Sequence, residues 1–174
     1  MKIRKSFVTN SSSSSFILHF INVDEGDVPV EDVIRKNLNL EMSVYKDEIK
    51  EQVIKEAIEN QISYEEAIEE LADYLRWQSI DELKDEYEVE RKFSHENKCS
   101  YWTDSSGNDV TEQMDNLVRE RSVEKAKDII WWDDEIWHHY SLVKYGSDYG
   151  MLSDSIECDV LPNIDSTLFR MSHH

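Results

Sequence analysis

Glycine, proline and cysteine are scarce in this sequence, with four, two and two residues among 174. Few glycines leave little backbone for cradling phosphates. The G-x-x-x-x-G-K-[ST], G-x-G-x-x-G and G-x-S-x-G patterns are all missing. That removes the usual sequence grounds for nucleotide binding and serine-nucleophile hydrolysis. The two cysteines, Cys99 and Cys158, form no C-x-x-C and no disulfide framework, and read as free buried thiols of a reducing compartment. No apolar run approaches the about 20 residues that span a bilayer, so a cytoplasmic protein is expected. Basic residues are also few: 19 Lys and Arg stand against 38 Asp and Glu, a formal charge of −19. Such a surface repels nucleic-acid phosphates and anionic lipid headgroups. Direct nucleic-acid and membrane binding are therefore disfavoured, and the expected partner is a protein with a basic surface. No cofactor is expected.

Aromatic residues are plentiful, with five Trp, eight Tyr and five Phe, and a chain so supplied folds. Its length suits one domain. Lys2, Arg4 and Lys5 ahead of Phe16-Ile17-Leu18 follow the order of a secretory signal. The apolar stretch is short, however, His19 interrupts it, and no small-residue cleavage site follows. The His173-His174 pair reads as the remnant of a purification tag, leaving 16–172 as the expected domain behind a basic, serine-rich leader at 1–15.

Phe16–Val23 predicts a buried strand, being short, apolar and partly β-branched. Helices are expected over Glu31–Leu40 and Ser43–Asn60, the second with Ile49, Val53, Ile54, Ala57 and Ile58 on one face. Ser63-Tyr64-Glu65-Glu66 is a capping box. It opens a helix whose Ala67, Ile68, Leu71, Ala72 and Leu75 recur at three- and four-residue spacing. Ser79-Ile80-Asp81-Glu82 reads as a second capping box, starting a separate helix to about Tyr87. Lys98–Trp102 reads as a strand ending in the turn Asp104–Asn108. Asp109–Ile130 reads as a helix with Met114, Leu117, Val118, Ala126 and Ile129 inward. Ile136–Tyr145 and Ser155–Leu161 read as strands of a C-terminal hairpin. The expected class is α+β: a small, mostly antiparallel sheet of the N-terminal strand and C-terminal hairpin, covered by about five acidic helices.

Residues 2–17 read KIRKSFVTNSSSSSFI. This segment resembles a recurring N-terminal signature, a basic start followed by FV(S/T)NSSSSSF, on assorted uncharacterised phage and bacterial proteins. The resemblance covers about a tenth of the chain. It implies a phage or mobile-element origin and carries no activity or catalytic residue with it. Its motif residues here are Asn10, Ser11, Ser12, Ser13, Ser14, Ser15 and Phe16. The serine run admits two readings: a flexible lead-in to the first strand, or a recognition tag whose hydroxyls are read or phosphorylated.

Three functional readings follow. The first rests on Glu65, Glu66, Glu69, Glu70 and Asp73, continued by Asp81, Glu82, Asp85 and Glu86. Carboxylates in such a stripe mimic the charge of a nucleic-acid backbone and occupy a partner's basic groove. The plainer account is a solvated helix that keeps the protein soluble. The implied role is an accessory protein of phage type that binds a host protein, as an inhibitor of a defence or nucleic-acid-processing complex. The second reading is a virion-associated structural or assembly protein docked by its leader. The third is a metal-dependent hydrolase built on Asp133, Asp134 and His138 or His139. Against it, consecutive strand histidines point to opposite faces, and the acids suit a solvated turn. His95 with Cys99, joined by Cys158 or His138, is a further scattered ligand set. A non-enzymatic role is favoured.

Overall fold

The computed structural model describes residues 13–22, 28–130, 138–146 and 154–173. The fold is α+β. In chain order come β1 (Ser13–Ile21), α1 (Val30–Glu41), α2 (Asp47–Glu59), β2 (Gln61–Ile62), α3 (Tyr64–Tyr87), β3 (Glu90–Ser94), β4 (Cys99–Thr103), α4 (Thr111–Ile129), β5 (His138–Gly146) and β6 (Thr167–His173). A π-helical turn at Ile156–Val160 and a 3-10 turn at Leu161–Asn163 precede β6.

The chain forms two compact units. One runs to Tyr64 and resumes at Asp133, and the other is Glu65–Trp132. The first holds an antiparallel sheet of order β2-β5-β1-β6. β1 lies inside it, with Phe16 opposite Val143 on one side and Arg170 on the other. Alternation along β1 turns Phe16, Leu18 and Phe20 into one core with Val33, Ile34 and Leu38 of α1 and Val53, Ile54 and Ala57 of α2. Each of these side chains larger than alanine contributes roughly 1.5–3 kcal/mol on burial. The buried Ser141 hydroxyl of β5 donates to the Ala57 carbonyl and ties sheet to helix.

Two C-terminal expectations are corrected. Ser155–Leu161 is helical, and β5 and β6 form no hairpin, since each pairs with β1 instead. Ile156, Val160 and Leu161 are buried while Cys158 is exposed. A strand with that alternation would have hidden Cys158 beside Ile156 and Val160. Spacings of four and five place the three apolar residues on one helical side. β6 continues to His173, so pairing reaches a residue read as tag.

The second unit packs α3, α4 and the β3–β4 hairpin around Ile80, Leu83, Val89, Trp102, Met114 and Val118. α3 starts at Tyr64, directly after Ser63, the register a capping box at 63–66 requires. Ser79 is no cap: it lies fully buried inside one 24-residue helix, and its hydroxyl donates to the Leu75 carbonyl. Packing on both sides of Ser79 carries the helix through a start signal. α3 ends with Glu88 at φ 51° and the Val89 amide donating to the Lys84 carbonyl. That is a Schellman closure, with buried Val89 as its apolar contact. The β3 strand, for which the sequence analysis sets no expectation, pairs residue by residue with β4.

Candidate anionic interface

The nine carboxylates singled out from sequence all stand exposed on α3. The buried residues explain how. Ala67, Ile68, Leu71, Ala72 and Leu75 make one inward stripe, which then rotates, so that Ser79, Ile80 and Leu83 are buried further along. At 100° per residue the acids accordingly divide into two groups, whose centres lie roughly 160° apart around the helix. Glu65, Glu66, Glu69, Glu70 and Asp73 share one arc, while Glu82, Asp85 and Glu86 face away from it and Asp81 lies at the border between the two groups. The single continuous stripe expected from sequence is thus corrected to two faces.

The two groups also differ in pairing. Arg121 of α4 reaches Glu86 at 3.0 Å and Glu82 at 3.9 Å, and Lys125 pairs with Glu82. Lys84 holds Asp81 at 3.1 Å. The Glu86 carboxylate beside Arg121 fixes its positive charge more firmly than in a free side chain. Much of the second group is therefore offset by the protein's own bases. Within the first group, Glu65, Glu69 and Asp73 are exposed and take part in no ion pair among the described residues.

The leader motif divides at the edge of the described residues. Asn10, Ser11 and Ser12 lie outside them, whereas Ser13, Ser14, Ser15 and Phe16 belong to β1. Ser14 and Ser15 are buried, and the Arg170 guanidinium donates to the Ser14 hydroxyl at 3.2 Å. The expected flexible lead-in is corrected for these residues. Inside the sheet, ladder bonds on both edges outweigh serine's preference for local turns.

Of the hydrolase candidates, Asp133 and Asp134 lie outside the described residues. His138 and His139 occupy consecutive positions at the start of β5, opposite Ile21 and Phe20. Among the described residues no three or more His, Cys, Asp or Glu side chains gather closely enough to hold a metal ion. Cys99 and Cys158 are both free and exposed, which corrects their expected burial, and they belong to different units. His95 sits beside the Phe93 ring, 5.3 Å away and edge-on. A cleft of about 550 Å³ between the end of α2 and β5 gathers Gln52, Glu56, Glu59, Asn60 and Lys144, with no Ser, Cys or His among the described residues that line it. Among the described residues no helix is long and apolar enough to cross a membrane.

Two features of the second unit were not apparent in the sequence. Trp77 of α3 is 65% exposed, and Arg91 of β3 lies over its ring, 5.2 Å from the centroid. An apolar residue four positions from Asp73 and Asp81 was the available signal. The pairing with Arg91 depends on a hairpin that the sequence did not announce. No family model matches the chain, and comparison with curated proteins and with solved structures finds no match.

Proposed function

We propose that this chain works by binding a protein, presenting the Glu65–Asp73 face of α3 to a basic surface that otherwise holds nucleic acid. The observation that carries the reading is the difference between the two acidic groups. Arg121, Lys125 and Lys84 offset one of them, and in the other Glu65, Glu69 and Asp73 face solvent with no ion pair among the described residues. Clustered charge of one sign raises association rates and selects partners of opposite sign. The resemblance of the leader to phage-type proteins supports a host nucleic-acid-processing or defence complex as the setting.

Affinity capture from host lysate at low salt tests this. The expected catch is a nucleic-acid-binding protein that added DNA or RNA releases, with capture falling steeply as salt rises. Changing Glu65, Glu66, Glu69 and Glu70 to Gln and Asp73 to Asn is expected to abolish it. Capture that ignores salt and survives those substitutions would sink the proposal.

A further inference from the structure

A stack of three side chains leads from the interior of the second unit to its surface. Trp102 is 1% exposed, and its indole N–H donates to Asp115 at 3.1 Å. Arg91 stands directly opposite it in the β3–β4 ladder, with its guanidinium carbon 6.0 Å from the Trp102 ring. The same guanidinium carbon lies 5.2 Å from the ring of Trp77, which is largely exposed. Cation–π contact of this kind orients a ring without burying it. Phe93, 56% exposed, lies two residues along β3 from Arg91 and so on the same strand face.

The indole also sits within the anionic arc. Glu70 is seven residues before Trp77, Asp73 four before it and Asp81 four after it, spacings that share one side of a helix. Lys84, a base on that side, is taken up by Asp81. A flat aromatic ring, held from behind and flanked by carboxylates, has the chemical elements of an unstacked base between backbone phosphates. Sites that bind single strands combine a cationic track with aromatic or Arg planes on which bases stack. A surface shaped for duplex backbone offers carboxylates a place, but gives an indole nothing to stack on.

We infer that Trp77 is a base-like anchor, and that the partner is a single-stranded nucleic-acid-binding protein whose site joins a basic track to an aromatic stacking platform. This rests on the proposed function and names the partner class for that same face. The fit is one of charge and ring chemistry: negative arc to basic track, indole to platform.

Competition measured by fluorescence anisotropy tests it, with the full chain as competitor. One probe is a bacterial OB-fold single-strand-binding protein carrying labelled oligo-dT, and the other is a homeodomain on labelled duplex. The chain is expected to displace oligo-dT and leave the duplex bound. Trp77→Ala is expected to weaken displacement about tenfold, the scale of one stacking contact, and Trp77→Phe to restore most of it. Neither changes the salt slope, because neither changes charge. The five-carboxylate neutralised variant flattens that slope. Circular dichroism checks that each variant is folded.

If Trp77→Ala competes as well as the parent while charge neutralisation abolishes competition, this inference fails and the proposed function stands. If the neutralised variant also competes fully, both fail. Displacement of duplex alone, or of neither probe, overturns the inference. So does Trp77-dependent self-association in sedimentation without displacement, which would assign the face to a second copy of the chain.

Discussion

The Tyr145 side chain is 3% exposed, and its hydroxyl lies near the Glu56 carboxylate without a well-formed hydrogen bond among the described residues. Burial, and then the nearby Glu56 carboxylate, push its ionisation far above the ordinary tyrosine range. Burial likewise pushes Tyr140 up to about 12. A tyrosine whose pKa is raised by folding stays neutral in the native state while the unfolded chain begins to ionise near pH 10. Its stabilising effect is complete below that pH and is lost as pH climbs towards 12. Denaturant unfolding at pH 8 and pH 11 should show this loss. Tyr145→Phe removes an unsatisfied buried hydroxyl and is expected to raise stability by about 1 kcal/mol at pH 8, with a larger gain at pH 11. A loss at pH 8 would show that the hydroxyl has a partner. Phe16→Ala, emptying a fully buried site on the central strand, is expected to cost roughly 3–5 kcal/mol.

Among the elements, α3 shows what periodicity conveys and what it hides. Its first four turns were legible because Ala67, Ile68, Leu71, Ala72 and Leu75 repeat at helical spacing, and all five are buried. Its continuity past Ser79 was not legible. A serine three residues before a glutamate looks the same whether it caps a helix or lies within one, and only packing separates the cases. The same limit applies to Ile156–Leu161, where alternation and helical spacing coexist over six residues. The end of α3 is stricter. Glu88 holds a left-handed backbone that favours glycine, with Val89 closing the turn behind it. Glu88→Gly should therefore raise stability by about 0.5–1 kcal/mol, read as a shift in denaturation midpoint at unchanged slope. Destabilisation instead would mean that the Glu88 side chain holds the turn together. The acidic arc is read from the same helix. Its residue types were plain in the sequence, but its division into two faces follows only once α3 runs unbroken past Ser79, and packing decides that.

For the whole molecule, 38 acidic residues against 19 basic ones mean that repulsion among like charges opposes folding. Added sodium chloride screens that repulsion as the Debye length falls from about 10 Å at 0.1 M to about 3 Å at 1 M. The melting temperature is expected to rise over this range, even though the Arg121 and Lys125 pairs weaken. A fall would mean that those pairs outweigh the net charge. The α+β class was legible because apolar strands stood at both ends of a helical stretch. Strand order was not, since nothing in the local sequence of β5 or β6 says that both will choose β1. That choice has a consequence for synthesis. β1 leaves the ribosome before β5 and β6, so Phe16 must wait for Val143 and Ile17 for Phe169. At ordinary elongation speeds the delay is on the order of ten seconds. A nascent Phe-Ile-Leu segment without neighbours for that long is a natural client for a chaperone at the exit tunnel.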